Sequence, residues 1–364
     1  MADNENSWKG KPITYVDQNI LDFLLKEPDF KIIFSEMQIV YSNETLAEIR
    51  RSGVNNDKNF LTLLSDIEAF YFYIEQKEQK TFITIKNCDP FQIYKNISEQ
   101  EGYEVFEDVV KSMLLLPHKF YGGKKELSFL DIYHENNIFF NQLMLFLKDQ
   151  IKFLKDSLNQ EEMESLEIKN LLKIDIDINK MKQEHENVSK SFIELMIKDL
   201  GDGRNIEGLN YTYQKSIQVA SKQLNNITHP NVFKKIWDLV RNTKAYQNHP
   251  ITEAQFWGLD KHPIDPTQDL TILDKVRILY DKLNFYGFNA DTNMHYENRY
   301  TAALSDQEHA VLGSCCEFLF SMAARFVRKV SAIYEYLNIK TQIAYVVKKN
   351  EDNSIKLQIK IFNT

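Results

Sequence analysis

Apolar and polar positions change rhythm along this chain: β-branched runs sit at its two ends, and helical spacing dominates its middle. Near the start, Ile13, Thr14, Tyr15 and Val16 form a short β-prone run that stops at a carboxylate, Asp17, which reads as a strand ending in an acid. Asn19 to Lys26 is predicted to be a short helix, ended before Pro28 because proline has no N–H to continue the ladder. Lys31 to Phe34 and Gln38 to Tyr41 are strand candidates, and Ser42 is the expected N-cap of a helix whose first turn holds Glu44 and whose next turn holds Glu48. Phe60, Leu63, Leu64, Ile67, Phe70 and Tyr71 repeat at i, i+3 and i+4, so Phe60 to Glu75 is predicted to be helical.

From Asp89 to Pro266 strand signals thin out. Long amphipathic stretches, Asn141 to Leu158 and Asn187 to Leu200, alternate with breakers at Gly122-Gly123, Gly201 to Gly203, His229-Pro230, His249-Pro250 and His262 to Pro266. The charged run Glu161 to Glu167 reads as a solvated helix face. After Pro266 the mixed pattern returns. Helices are expected at Leu273 to Leu283, Asp306 to Cys316 and Arg325 to Leu337, and a short strand at Phe318 to Ser321. Thr341 to Val347 and Ile355 to Ile361 should pair antiparallel across the polar turn Lys348 to Asn353, the second strand half-exposed because its apolar and polar residues alternate. The expected architecture is α/β: residues 1–88 and 267–364 form one domain, and residues 89–266 a mostly helical insertion.

Composition narrows the class. With 364 residues, 43% hydrophobic and 26% charged, the chain falls among globular proteins with ample core. No apolar run approaches the roughly 20 residues that span a bilayer, so no membrane partner is expected. The polar, acidic start Met1 to Ser7 is unlike a signal or transit peptide. Three cysteines, Cys88 and the adjacent Cys315 and Cys316, suit a reducing compartment rather than a disulfide framework. A cytoplasmic location is predicted. A net charge of −8 argues against a surface coated for indiscriminate nucleic-acid binding, so any phosphate contact must be local.

Several chemistries are disfavoured by what the sequence lacks. There is no Gly-x-x-x-x-Gly-Lys-Ser/Thr phosphate loop and no Gly-x-Ser-x-Gly elbow. No Arg is followed five residues on by His, the signature of the helical HEPN ribonucleases. Adjacent cysteines diverge and no Cys-x-x-Cys pair exists, so zinc is not expected. What remains is carboxylates at strand ends and helix starts. Hard oxygen ligands of this kind suit Mg²⁺ or Mn²⁺, and phosphodiester hydrolysis by bound metal needs several of them together.

The order Asp17, Glu48, Asp306 and then Ser321-x-Ala323-x-Arg325-Phe326 resembles the PIN-domain nucleases over the first ninety and last hundred residues. The resemblance implies a mostly parallel central sheet flanked by helices. In that family an Asp ends the first strand, a Glu lies at the start of the second helix, a third acid starts a helix that a strand follows, and Thr/Ser-x-Asp ends that strand just before an Arg-containing helix. By resemblance Asp17, Glu48 and Asp306 would hold Mg²⁺ or Mn²⁺, with Asn19 in the family's Asp-x-Asn arrangement, Ser321 at the Thr/Ser-x-Asp motif, and both Asn19 and Ser321 contacting substrate. The fourth acid is missing: Ala323 stands where the family has Asp. The implied function is a metal-dependent endoribonuclease, of the kind that acts as a toxin or antiviral-defence effector, inactive as written. Read residue by residue, alternatives stay open. Glu44 competes with Glu48, Asp306 could be a helix cap, and His309 could pack beneath the site rather than act in it.

For substrate contact, Arg325, Arg328 and Lys329 follow the last motif. Tyr211 to His249 carries six basic residues, among them Lys234, Lys235 and Arg241, against one acid, Asp238, with Trp237 and other aromatics interleaved. Such a segment can track phosphates and stack unpaired bases; the bland alternative is a helical core whose lysines face solvent. RNA is the expected partner and DNA the rival, through the related flap-nuclease fold. The helical insertion is expected to select substrate or to bind a protein partner or a second copy. A non-catalytic PIN-like scaffold that binds RNA or protein is the reading from a different class.

Overall fold

Seven strands share one sheet in the order β4-β3-β2-β1-β5-β6-β7. They are β1 (Ile13–Val16), β2 (Gln38–Tyr41), β3 (Phe70–Lys77), β4 (Lys80–Lys86), β5 (Phe318–Ser321), β6 (Gln342–Glu351) and β7 (Ser354–Phe362). The computed structural model describes residues 10–77, 80–98, 108, 110–157, 166–247, 251–262, 267–351 and 354–362. The polar start, His249-Pro250, residues 263–266, 352–353 of the last turn and most of the Glu161 run lie outside the described residues.

The five inner strands pair in parallel, and an antiparallel hairpin closes each edge. The inner strands β1, β2 and β5 are short and almost wholly buried, as parallel strands covered on both faces must be. The last two strands belong to the same sheet as the Asp17 strand; β7 alternates only over residues 355–358, and Ile359 and Ile361, expected on its covered face, are exposed.

Helices flank the sheet because local signals start and stop them. Asp17 caps α1 (Gln18–Lys26) by accepting from the Ile20 N–H, and Ser42 caps α2 (Asn43–Arg51) in a reciprocal box with Thr45. Next come α3 (Val54–Asp66), α4 (Val232–Arg241) and α5 (Ile272–Tyr286); α5 is capped by Thr271 and stopped at Gly287, whose φ of 94° a side chain would resist. The last two are α6 (Glu297–Gly313) and α7 (Ala324–Leu337).

Three elements differ from the sequence expectation. Lys31 to Phe34 lies in a 3-10 helix, Pro28–Phe34, opened by the proline that ends α1. The helical spacing of Phe60 to Glu75 breaks at Asp66, and Phe70 begins β3 instead. Pairing of the aromatic run with β2 and β4 overrides its helical rhythm. Finally, α6 begins at Glu297, so Asp306 lies inside a helix and is not its cap.

The chain divides into two compact units. The first holds the sheet and comprises residues 1–95, 212–293 and 298–364. Its core includes Tyr15, Val40, Phe72, Leu319 and Ile343 from the strands and Val276, Tyr280, Val330 and Tyr334 from α5 and α7. Residues 212–266, expected in the helical insertion, contribute Ile217, Phe233, Ile236, Trp237, Phe256 and Trp257 to this same core. The second unit comprises residues 96–211 and 294–297 and is built on two long helices, Phe129–Ser157 and Leu166–Leu200. Met144 and Ile151 form a small core there with Phe140, and the Phe140 ring stacks on His185 at 3.8 Å. Among the described residues no helix is long and apolar enough to cross a membrane.

Candidate active site

The register of β1 on β5 pairs Val16 with Phe320, so the next residues, Asp17 and Ser321, emerge side by side at the carboxyl edge of the sheet. The Ser321 hydroxyl donates to Asp17 Oδ2, which also accepts from Asn19 Nδ2 at 3.3 Å, while Oδ1 accepts from the Ile20 N–H at 3.1 Å. Burial pushes the Asp17 pKa up, and the donors Ser321, Asn19 and Ile20 together with the nearby His309 restrain the rise. Ser321 Oγ in turn accepts from the Ala323 N–H at 3.0 Å. Ala323 is the N-cap of α7 and makes no side-chain capping bond, so the position carries a methyl group where a capping oxygen is ordinarily preferred.

Asp306 faces the same neighbourhood from α6. It is half-buried, and its carboxyl takes part in no side-chain hydrogen bond among the described residues. Burial and the charge of Asp291 push its pKa up to about 7, with Asp17 adding to the rise and Lys329 and His309 opposing it. A carboxyl perturbed in this way is a candidate functional group. Beside it lies a polar cluster on α5, α7 and the loop after α5. Lys329 Nζ donates to Asp291 Oδ2 at 2.6 Å and Asn284 Oδ1 at 2.8 Å, and sits 4.0 Å from the Tyr280 ring centroid. Asp291 also accepts from Asn284 Nδ2 at 3.0 Å.

Glu48 is brought to this end of the sheet and engaged there by His309. The buried imidazole uses both nitrogens: Nε2 lies 2.8 Å from Glu48 Oε2, and Nδ1 2.8 Å from the Tyr15 hydroxyl. Burial alone would lower the His309 pKa; Tyr15 and Glu48 reverse that and hold it well above its ordinary value. The Tyr15 hydroxyl, buried and pushed up in pKa, also meets Ser42 Oγ at 3.0 Å. Glu44, the rival to Glu48, is paired with Arg51 at 2.8 Å, and Arg51 reaches Ser305 on α6 at 2.6 Å.

The expected substrate residues divide. Arg325 and Arg328 are exposed on α7, Arg325 touching the Ala290 carbonyl at 3.3 Å. Lys329 is fully buried and bound to Asp291, so it is not a surface phosphate contact. Lys234 and Arg241 are exposed but both pair with Asp238, and Lys235 donates to the Thr228 carbonyl. Trp237 is buried, with its ring against Phe256 and Tyr246. That position corrects the expectation of a base-stacking platform, because the apolar face of α4 is core.

The family resemblance implies a divalent metal, and the donor set can be tested against it. The chemistry suits a hard cation, since every candidate offers oxygen. The number does not. Glu48 is held by His309, Asp291 by Lys329, and position 323 has no carboxylate. Among the described residues no three His, Cys, Asp or Glu side chains are arranged to hold a metal ion. As written, the residues do not make up a divalent-metal site.

Asp291, Asn284 and the Tyr15–His309–Glu48 relay escaped the sequence reading. Asp291 follows an ordinary loop run, Asn289-Ala290, and its partner Lys329 lies on a helix far along the chain, so no local spacing marks it. The sequence allows His309 either to act in the site or to pack beneath it; no local spacing marks Tyr15 and Glu48 as its partners. Comparison with known families, with characterised proteins and with solved structures gave no match.

Proposed function

We propose that the chain is a PIN-like endoribonuclease whose phosphodiester-cleaving site is left incomplete at position 323. The observation that carries this reading is the meeting of Asp17 with the Ser321-x-Ala323 motif across adjacent parallel strands, next to an Asp306 pushed up to about 7. Three separated stretches of sequence thereby meet where an α/β sheet collects its functional groups. Ala323 adds support: it starts α7 at a cap position where Asp would serve the helix and complete the acid set at once. Exposed Arg325 and Arg328 on the same helix supply positive charge for an RNA backbone. With Asp at 323, Mg²⁺ or Mn²⁺ is the proposed cofactor. A toxic or antiviral-defence nuclease, kept silent by the loss of one acid, is the role that fits such an arrangement.

A second reading, a non-catalytic PIN-like protein that binds RNA or another protein, is favoured by one observation: His309 already pairs with Glu48, and Lys329 with the neighbouring Asp291. The deciding experiment incubates the Ala323→Asp protein with end-labelled RNA, single-stranded DNA and flap DNA, in Mg²⁺, in Mn²⁺ and in chelator. Metal-dependent RNA cleavage is the expected result. Cleavage of flap DNA alone would move the protein to the structure-dependent DNA nucleases. Tight RNA binding without cleavage in either metal would move it to the scaffold reading.

A further inference from the structure

Lys329 is an unusual side chain to find where it is. Its side chain is wholly buried in the sheet-bearing unit, against Asp291. Burying an ammonium without compensation is strongly unfavourable, and here the compensation is complete in direction. Asp291 and Asn284 each accept one of its hydrogens, and the Tyr280 ring presents its face at 4.0 Å. Asp306, on the neighbouring helix, has no hydrogen-bond donor of its own among the described residues, yet feels the same cation. Burial pulls the Lys329 pKa below its ordinary value; Asp291 and Asp306 resist the fall, and Arg325 adds to it. The two oxygen acceptors at 2.6 and 2.8 Å are those of a donating ammonium.

The charges of Asp291 and Asp17 both act on Asp306, so this group of acids needs positive charge, and a divalent ion is the usual source. In this chain part of that need is met by a side chain, through an ion pair. Lys329 reaches Asp291 from within α7, the helix that Ala323 caps, so the cation is fixed in place by a rigid element. We infer that Lys329 is the resident cation of this acid cluster, holding with its ammonium the place that a divalent ion would otherwise take beside Asp291 and Asp306. The inference concerns the place beside Asp291 and Asp306, whereas the nuclease reading needs an ion beside Asp17 and position 323, so the two can fail separately.

The test is Mn²⁺ titration by calorimetry and by the free-ion electron-spin signal, on the unaltered chain, on Lys329→Met and on Lys329→Arg. Removing a like charge from beside two carboxylates should tighten Mn²⁺ binding by at least about tenfold in Lys329→Met. Lys329→Arg, which keeps the charge, should behave as the unaltered chain. Equal Mn²⁺ affinity in the unaltered and Met proteins would overturn the inference, and so would a gain in Lys329→Arg as large as that in Lys329→Met. Should the Met variant fail to fold, the unaltered chain still decides. With ¹⁵N-lysine labelling, the buried Lys329 ammonium should give a slowly exchanging signal that equimolar Mn²⁺ leaves sharp. Selective broadening of that signal would place the ion where the inference has the ammonium, and would overturn it. RNA cleavage by Ala323→Asp is a separate readout, so the nuclease reading can fail without touching this result.

Discussion

The aromatic cluster around Trp237 and the acidic recess at the end of β1 both gather side chains that the sequence marks as chemistry-bearing, and they use them in opposite ways. In the first, Trp237, Phe256, Trp257 and Tyr286 present rings to one another at centroid distances of 4.6 to 5.5 Å. Their lysine and arginine neighbours lie outside and pair with Asp238. In the second, polar groups are buried and only partly answered: Asp17 has three donors, Asp291 has a lysine, Glu48 has a histidine and Asp306 has none. Ring and basic residues interleaved on a helix are therefore no guide to a nucleic-acid surface when one face of that helix is core. An unanswered half-buried carboxyl is a better guide, because folding gains nothing by leaving it so.

The comparison makes predictions of graded size. Trp237→Ala should destabilise the protein by about 3–5 kcal/mol in urea unfolding, the range for a buried Trp truncation, while RNA affinity is unchanged; a stable variant with weakened RNA binding would break the contrast. His309→Leu should lower stability by about 2–4 kcal/mol, because it leaves the buried Tyr15 hydroxyl and the Glu48 carboxylate without their partner. A smaller effect appears with pH. Asp306 has its folded pKa raised from 3.8 to about 7, so between those values the folded state binds more protons than the unfolded state. Stability from this group is therefore greatest below pH 3.8 and is lost as pH rises toward 7. Melting temperatures at pH 4.5 and 7.5 should thus fall more in the unaltered chain than in Asp306→Asn; parallel falls would remove Asp306 from the account. The smallest effect is at the vacant cap: Ala323→Asn should stabilise α7 by about 1 kcal/mol without creating activity.

Much of the frame was legible in the sequence. The strand ending at Asp17, the Ser42 cap, the Phe318 to Ser321 strand and the final hairpin follow from local pattern, and each is governed by interactions a few residues long. The sequence misled where long-range pairing decided the outcome. Phe70 and Tyr71 fit a helical stripe yet join β3 because β2 and β4 are there to pair with them. Asp306 resembled a helix start because the signals at Glu297 are weak, and the helix runs on through it. Within the recess, Asp17 and Ser321 could be anticipated from strand ends, whereas the Lys329–Asp291 pair and the His309 relay depend on tertiary approach of residues 38 and 261 positions from their partners. Lys329 was readable only as a basic residue on a helix next to the last motif; nothing local distinguishes a buried ammonium from a surface one.

The central claim is that the recess is a nuclease site missing one acid, and a side-by-side assay of Ala323→Asp and Ala323→Asn tests it most directly. Both restore a capping oxygen to α7, but only Asp adds a carboxylate. Cleavage of labelled RNA in Mn²⁺ should rise on the order of 10²-fold or more above the unaltered chain in the Asp variant alone, since positioning and charge stabilisation each contribute several kcal/mol to such reactions. It should vanish in chelator and in the Asp17→Ala/Ala323→Asp double variant. Equal activity in the Asp and Asn variants, or full activity in the unaltered chain, would contradict the account.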